Sequence, residues 1–309
     1  MLSSRLLAVH RAVVADGSLT RAAASLGYTV SAVSQQLAQL ESQAGVELFE
    51  KAGRGVRPTA AGLLLAEHAV RILAQIADAE QALDDLRAGR TGRIRVVSFH
   101  SAGESLLPRA IATLHEQIPG VHVRPIVDET PGALRRLRDG EADLVVMVEP
   151  YARGAEPADD LRRWHLLDDE YRVLLRHDHP LARRRVVPVE ALAEVDWVVT
   201  TGPSDYVRDT TVAMCRRAGF IPRVIAEGDE FNVTQGYVAA GLGAALVPLL
   251  ALGAVRGEVA VRRLTPPPRP RHIWLATRAT LADQPVVARM IDALQAAAAL
   301  ATGHQHARP

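Results

Sequence analysis

The sequence predicts an α/β protein built from three consecutive parts. Two short helical patterns and a hairpin pattern fill residues 1–58, a heptad pattern runs through residues 59–89, and strand and helix patterns alternate over residues 90–309. These observations predict a helix-turn-helix with a β-wing, a long linker helix and a two-lobed α/β domain. The chain has 309 residues and 48% hydrophobic content, which is enough for a core in each globular part.

The two short helices lie between residues 18 and 41. Ser18 can cap the first helix, and Gly27 ends it because glycine enters the left-handed region without steric cost. Thr29 can cap the second helix. The apolar positions of the second helix are Val30, Val33, Leu37 and Leu40. Its other face carries serine and glutamine, which suit hydrogen bonds to base edges in a DNA major groove, although an ordinary helical hairpin with a solvated face has the same pattern.

A compact basic loop follows the second helix. An apolar run at residues 46–49, a turn bracketed by Gly53 and Gly55, and an extended segment before Pro58 predict a two-stranded wing. The wing carries Lys51, Arg54 and Arg57. Three cations beside such a helix suit contacts with backbone phosphates, which position a protein on a duplex.

With this pattern in place, residues 7–62 resemble the winged helix-turn-helix of LysR-type transcriptional regulators. The residues that carry the resemblance are Gly17-Ser18-Leu19-Thr20, Ala22-Ala23, Leu26, Ala32-Val33-Ser34, Leu40-Glu41, Gly45, Leu48-Phe49, Arg54, Pro58-Thr59 and Gly62. The resemblance implies double-stranded promoter DNA as a partner. The expected DNA-binding residues are Ser18, Thr20, Thr29, Val30, Ser31, Ser34, Gln35, Gln36, Lys51, Arg54 and Arg57. The family often has glutamine in place of Val30 and proline in place of Ser31, so the operator sequence does not carry over from relatives.

The linker pattern predicts one helix from Thr59, its cap, to about residue 88. Two series of apolar residues repeat every seven positions along it: Leu65, Ile72, Ala79 and Leu86, and Ala69, Ile76 and Leu83. A helix of roughly 40–45 Å gains little alone, so the heptads predict pairing with another helix. The helix could instead pack on its own domain. The resemblance favours a homodimer through this helix, with a further pairing into a homotetramer.

The last part begins after a hinge at residues 88–92. Strands are expected at 94–98, 121–127, 144–148, 172–175, 197–200, 224–226, 244–247 and 273–277, and helices at about 103–117, 131–138, 207–218, 231–240 and from 285 onward. This order predicts two sheets joined by two crossovers, with lobe I at about 92–161 and 268–302 and lobe II at about 162–267. Segments 137–144, 179–182 and 238–243 resemble the effector-binding domain of the same family, whose architecture is like that of periplasmic solute-binding proteins.

The cleft between two such lobes is the expected effector site, because ligands of open α/β sheets bind beyond the carboxyl ends of the strands. Ser101 opens a helix there, although a plain helix cap would look the same. The family topology places the other candidates at the same cleft. The expected effector-binding residues are Ser98, His100, Ser101, Thr130, Thr200, Thr201 and Gly202. The expected ligand is a small organic anion or another polar metabolite.

Other motifs point away from an enzyme. The sequence has no P-loop and no Gly-x-Ser-x-Gly elbow, and Gly241-Leu242-Gly243 is no dinucleotide fingerprint. His177-Asp178-His179 lacks a third convincing ligand for a metal. We therefore expect no catalytic residue, cofactor or metal. The single cysteine, Cys215, is expected in the core, with a redox-sensing thiol as the alternative.

The uncharged run at residues 231–255 could suggest a membrane span, but its glycines and Pro248 divide it into a helix, a short buried strand and a turn. With no evident signal peptide, a cytoplasmic chain without membrane contact is expected. The tail at 303–309 is expected to be disordered.

The function expected from these patterns is that of a LysR-type, effector-modulated transcriptional regulator, with RNA polymerase as a further partner. The net charge of +1 does not indicate DNA binding, so this expectation rests on the helix-turn-helix motif alone. One alternative is a solute-binding-protein-like module without a DNA role. A second is an α/β enzyme.

Overall fold

A computed structural model describes residues 2–52, 55–87, 92–149, 161–201 and 206–307. The chain divides into two compact units, one of residues 1–90 and 135–142 and the other of residues 91–134 and 143–309. The first contains the predicted helix-turn-helix, wing and linker, and the second contains most of the predicted two-lobed domain.

The first unit follows the predicted order of helices and wing strands. Its elements are α1 (Ser4–Asp16), α2 (Leu19–Leu26), α3 (Val30–Ala44), β1 (Phe49–Ala52), β2 (Gly55–Pro58) and α4 (Ala60–Arg87). The two strands of the wing pair antiparallel. Helices α1, α2 and α3 pack on one another around a core that includes Val9, Val13, Val33 and the small residues Ala22 and Ala23, which let the helices approach closely.

The predicted caps of the two short helices are present. Ser18 Oγ accepts a hydrogen bond from the Arg21 amide at 3.5 Å, and Thr29 Oγ1 accepts one from the Ala32 amide at 3.2 Å. Gly27 ends α2 with φ of 68°. Of the apolar positions of α3, Val33, Leu37 and Leu40 are buried, whereas Val30, which is also an expected DNA-binding residue, is 43% exposed. Val30 is the first residue of the helix and precedes the turn that packs against the core.

Helix α4 is anchored at its start to Leu48, the residue just before the wing. Thr59 Oγ1 accepts from the Gly62 amide at 3.0 Å, as its predicted capping role requires. A Cβ atom at Gly62 would lie 2.1 Å from the Leu48 carbonyl oxygen, so only glycine permits this approach. The Gly62 carbonyl in turn lies 2.9 Å from Nε2 of buried His10 in α1. Burial lowers the pKa of His10, which favours a neutral ring that donates from Nε2.

The two heptad series on α4 differ in their surroundings along the helix. Ala69 is buried, and Leu65 packs with it against Leu6, Leu7 and other residues of the first unit. Farther along, Ala79 is exposed, and Ile72, Ile76 and Leu83 are 39%, 37% and 55% exposed. The side chain of Leu86 lies outside the described part of the chain. The first turns of α4 therefore pack on their own domain, which was the alternative to pairing with another helix. From Ile72 onward the described heptad residues are exposed.

The second unit contains the predicted strands and helices, together with three strands that the sequence did not predict, Leu161–Asp169, Val186–Pro188 and Val259–Thr265. Its strands are β3 (Arg93–Ser98), β4 (His122–Val127), β5 (Leu144–Glu149), β6 (Leu161–Asp169), β7 (Tyr171–Arg176), β8 (Val186–Pro188), β9 (Asp196–Thr200), β10 (Arg223–Gly228), β11 (Ala245–Pro248), β12 (Val259–Thr265) and β13 (Arg271–Arg278). Its helices are α5 (His100–Ser105), α6 (Leu107–Gln117), α7 (Thr130–Arg138, whose residues from 135 onward group with the first unit), α8 (Tyr206–Arg217), α9 (Phe231–Ala239) and α10 (Pro285–Ala307).

The strands form two lobes. In the first, a five-stranded sheet has the order β4-β3-β5-β13-β6, with β3, β4 and β5 parallel and β13 antiparallel to its neighbours. In the second, the order is β11-β7-β12-β8, and the parallel pair β10-β9 joins β11 through a bridge between Trp197 and Ala244. The chain crosses from the first sheet to the second between β6 and β7 and returns between β12 and β13.

Three boundaries differ from prediction. Residues 161–169 form β6 in the first sheet, so the first crossing lies at Glu170 and not near residue 161; the mixed charged and apolar sequence of β6 conceals an edge strand. The predicted helix at 103–117 is two helices, α5 and α6, broken at Leu106. The tail expected to be disordered continues α10 as far as Ala307.

The uncharged segment 231–255 has the predicted punctuation. It forms α9, then the fully buried strand β11, then a short 3₁₀ helix at Leu249–Ala251. Cys215 is buried in α8, and burial raises the pKa of its thiol to about 11. A thiol so far from ionisation is a poor nucleophile, which argues for the core role and against redox sensing.

Candidate functional site

The exposed face of α3 is polar and uncharged. Ser31, Ser34 and Gln35 are exposed on it, while Gln36 is half-buried and its Oε1 has no hydrogen-bond partner among the described residues. Thr29 and Ser31 at the start of the helix exchange a hydrogen bond between their hydroxyls at 3.0 Å. The buried stripe on the opposite side holds this face outward, so its short side chains can meet base edges if α3 enters a groove.

The wing, which follows α3 in the sequence, carries exposed basic side chains. Lys51 is exposed, and Arg57 is 71% exposed although its Nε donates to Glu50 Oε1 at 2.9 Å. A surface pair of this kind is weak, so a phosphate can replace Glu50 as the partner of Arg57. Arg54 lies outside the described residues. Of the three remaining candidates, Thr20 and Val30 are exposed, and Ser18 is half-buried as the cap of α2.

A cavity of about 320 Å³ opens between the two lobes of the second unit. It is lined by Phe99, His100, Ser101, Val127, Glu129, Val148, Thr200, Thr201, Tyr206, Val207, Asp229, Glu230, Phe231 and Arg271. The lobes also meet directly beside it, where the Tyr206 hydroxyl donates to the Val148 carbonyl at 3.3 Å. The cavity lies at the carboxyl ends of β3, β5 and β9, as the topology requires for a ligand site.

The structure brings four of the expected effector residues to this cavity: His100, Ser101, Thr200 and Thr201. Two others do not line it. Ser98 is fully buried in the sheet, and the Thr130 hydroxyl accepts from the Val148 amide at 3.1 Å, so Thr130 has a structural role in joining α7 to β5. Gly202 lies outside the described residues.

A buried ion pair forms the floor of the cavity. Arg271, at the start of β13, donates from Nε to Asp169 Oδ2 at 3.1 Å and from Nη2 to Ser101 Oγ at 3.1 Å. Its guanidinium also lies 5.1 Å from the centre of the Phe99 ring, a cation–π distance. Asp169 Oδ1 accepts from the Leu250 amide of the second lobe at 3.1 Å. Burial raises the pKa of Asp169, and the Arg271 charge acts in the opposite direction.

The rim of the cavity is acidic. Glu129, Asp229 and Glu230 line it, and the charge of Arg271 is matched by Asp169, which leaves His100 as the other basic side chain among the described lining residues. Burial raises the pKa of Glu129, while the charges of Arg271 and His100 lower it. The sites predicted from the sequence are mainly hydroxyls near strand ends, and they do not include these carboxylates or Arg271. A usable signal was present, because all of them lie within a few residues of the ends of predicted strands.

His177 and His179, the pair with metal-like spacing, each contact backbone groups instead of sharing a metal ion. His177 Nδ1 lies 3.2 Å from the Glu258 carbonyl oxygen, and His179 Nδ1 accepts from the Leu181 amide at 3.2 Å. Both rings are therefore engaged by backbone groups at the start of the second lobe.

Two family models match the chain in the same places as the two predicted functional parts. The model described as "Bacterial regulatory helix-turn-helix protein, lysR family" matches residues 4–63, and the one described as "LysR substrate binding domain" matches residues 87–299. The chain belongs to the LysR family of transcriptional regulators. It is a DNA-binding regulator with an effector-binding domain, and the alternative of a solute-binding module without a DNA role is not favoured, because the helix-turn-helix is part of the match.

Individual relatives agree with this assignment. The probable HTH-type transcriptional regulator LrrA of Synechococcus elongatus is 31% identical, with 94% of this chain and 95% of LrrA covered. The HTH-type transcriptional regulator ShiR of Corynebacterium glutamicum is 32% identical, with 76% and 79% covered.

Solved structures share the fold over nearly the whole chain. A full-length OxyR variant from Pseudomonas aeruginosa matches with a TM-score of 0.63 at 24% identity, covering 97% of this chain and 95% of that one. CbnR, a LysR family transcriptional regulator, matches with a TM-score of 0.61 at 18% identity, covering 96% and 99%. These likenesses confirm the predicted fold class of winged helix-turn-helix, linker helix and two-lobed α/β domain.

The ion pair on the cavity floor leads to a stability prediction. Asp169→Ala should lower the free energy of unfolding of the LysR effector domain by about 3–5 kcal/mol, because it leaves the buried Arg271 charge uncompensated. Urea unfolding followed by tryptophan fluorescence measures this, since Trp164, Trp197 and Trp274 all lie in the second unit. The matched control is Asp178→Ala, which breaks an exposed pair with Arg176 and should leave the free energy of unfolding almost unchanged. Equal losses in the two variants would contradict this role for the pair.

Proposed function

We propose that α3 reads base edges of promoter DNA through Ser31, Ser34 and Gln35, while Lys51, Arg54 and Arg57 of the wing contact phosphates. The observation that carries this proposal is the division of α3 into a buried apolar stripe and an exposed face of short, neutral, polar side chains. One structure similar to this fold, full-length CbnR with its target DNA, is a DNA complex, at 17% identity and a TM-score of 0.60.

The two kinds of contact should respond differently to mutation. Gln35→Ala should reduce the preference for the operator over random DNA by on the order of 1–3 kcal/mol, because a base contact is lost. Lys51→Ala should weaken binding to both DNAs alike and reduce the salt slope by about one ion. Fluorescence anisotropy on the operator and on a scrambled duplex, at several salt concentrations, measures both quantities. If the two variants had the same effect on both duplexes, the assignment of roles would be wrong.

We further propose that the exposed part of α4 pairs with a second copy of the chain. Ile72, Ile76, Ala79 and Leu83 are exposed at heptad spacing, and such a stripe on a lone helix needs a partner. By length and composition the segment Ala60–Ala77 could also cross a membrane, but its first turns pack against α1. Helix pairing covers the stripe and keeps that packing. A homodimer, and from it a homotetramer, is the proposed assembly.

A single charge on the stripe tests the pairing. Ile76→Asp should shift the oligomer toward smaller species in sedimentation velocity, because pairing would bury an ionised carboxylate against apolar side chains at a cost of several kcal/mol. Ala77→Asp is the matched control. The Ala77 side chain is also exposed, but it lies about 100° around the helix from that of Ile76 and so off the apolar stripe. An unchanged assembly in Ile76→Asp would place the interface elsewhere.

We also propose that the cavity between the lobes is the effector site, with His100, Ser101, Thr200 and Thr201 among its contacts. Three rim carboxylates, set against an arginine whose charge is already matched, favour a ligand that carries a cationic group. Within the expectation of a small organic anion or another polar metabolite, this favours a cationic or zwitterionic metabolite over an anion. A ligand that contacts both lobes can shift the equilibrium between their relative arrangements. We propose that in this way the metabolite controls promoter binding, and through it the access of RNA polymerase. The proposed location of this regulator is the cytoplasm. No catalytic step is proposed for the cavity.

The ligand class is open to a direct screen. Among amines, amino acids and carboxylates small enough for the cavity, those with an ammonium group should raise the melting temperature of the chain. Glu129→Gln should then lower the affinity for the best amine by about tenfold, or ~1.4 kcal/mol, by calorimetry. Glu116→Gln on α6, outside the cavity lining, is the control. Stabilisation by carboxylates alone, or unchanged affinity in Glu129→Gln, would refute the proposed ligand class.

A further inference from the structure

Three metal-ligating side chains lie together on the edge of the first sheet, away from the cavity. Asp168 Oδ1 lies 2.7 Å from His165 Nε2 and 2.7 Å from His272 Nδ1. The three possible ligand atoms all lie within 4.8 Å of one another, and all three residues are exposed. Two imidazoles and a carboxylate are side chains that transition-metal cations prefer in proteins.

The convergence is produced by strand pairing and a β-bulge. Asp168 of β6 is directly opposite His272 of β13, so their side chains share one face of the sheet. His165 would normally point to the other face, because it is three residues from Asp168 in an extended strand. The register shift leaves Leu166 as an extra residue and pairs His165 with Trp274, which returns His165 to the face of His272.

The bulge also fixes the position of the third side chain. The His165 ring packs edge-on against the Trp274 ring, with 5.3 Å between the ring centres. The ring is therefore held with Nε2 directed at Asp168. Regular strand pairing would not place this histidine beside the other two side chains; the bulge does so.

We propose that His165, Asp168 and His272 bind a divalent transition-metal cation, with Zn²⁺ as the representative ion. Each histidine would offer the nitrogen that now faces Asp168, and Asp168 would offer a carboxylate oxygen. Metal–ligand distances near 2.1 Å in tetrahedral geometry need ligand atoms about 3.3 Å apart, which small rotations of exposed side chains provide. Exposure leaves the remaining coordination position to water, and a second cavity, of about 750 Å³, reaches His165 and Asp168.

The position of this site gives the metal a structural consequence. Asp168 and His272 each adjoin a member of the buried Asp169–Arg271 pair, but on the opposite face of the same two strands. A bound cation would therefore cross-link β6 and β13 at the crossing between the lobes. The expectation of no metal from the sequence overlooks this site, because His165 and His272 are distant in the chain.

Binding can be measured on the full chain after treatment with a chelator. Isothermal titration with ZnCl2 should show a site with micromolar or tighter affinity that MgCl2 does not fill, since Mg²⁺ prefers oxygen ligands. His272→Ala and His165→Ala should each weaken this site by more than about tenfold. Visible absorption of the Co²⁺-loaded chain gives a second readout, because its bands report the ligand field, and they should be lost in both variants.

His115→Ala is the matched control, because His115 is an exposed histidine of α6 outside the cluster. It should bind Zn²⁺ like the parent chain, and tryptophan fluorescence should show that all three variants are folded. The proposal is overturned if the chelator-treated chain takes up no Zn²⁺ at micromolar concentrations, or if His272→Ala and His165→Ala bind it as tightly as His115→Ala does.

Discussion

The buried pair of Asp169 and Arg271 is the constraint on which the effector domain depends. Its two residues end β6 and begin β13, the strands at which the chain leaves and re-enters the first sheet. An isolated charge in this position would be prohibitive, so each residue requires the other. The remaining hydrogen-bonding capacity of the pair is used on Ser101 in one lobe and the Leu250 amide in the other. Both lobes are therefore tied to one desolvated group at the floor of the cavity.

This arrangement also explains the character of the cavity. Arg271 lines the cavity, but its positive charge is already neutralised by the buried carboxylate of Asp169. In the proposed effector site, ligand recognition would therefore fall to side chains of the rim, where Glu129 is partly desolvated and Asp229 and Glu230 are exposed. Such a site would select a ligand by charge through its acidic rim, and by bulk through the size of the cavity.

Sequence reasoning was most successful where a residue type has one physical explanation. Gly27, Ser18, Thr29 and Thr59 fixed the ends of helices because capping and left-handed backbone depend on the local sequence. It was less successful where a contact joins distant segments. Asp169 and Arg271, like His165 and His272, meet through the β6–β13 register and its bulge, and the spacing of these residues along the chain carries no sign of that register. Thr130 was assigned to the ligand because a hydroxyl at a strand end looks the same whether it faces a cavity or a backbone amide.

The contact between Gly62, Leu48 and His10 has a geometric consequence for the LysR reading head. Because α4 starts within the core that also holds α3, the exposed stripe from Ile72 onward has a fixed angular phase relative to the reading helix. Each residue added or removed between Ala69 and Ile72 would rotate that stripe by about 100° around the helix axis. If two chains pair through this stripe, as proposed, the few residues between the packed and the exposed part of α4 would set the rotation of one helix-turn-helix relative to the other, and with it the spacing and orientation of the half-sites that the pair could occupy.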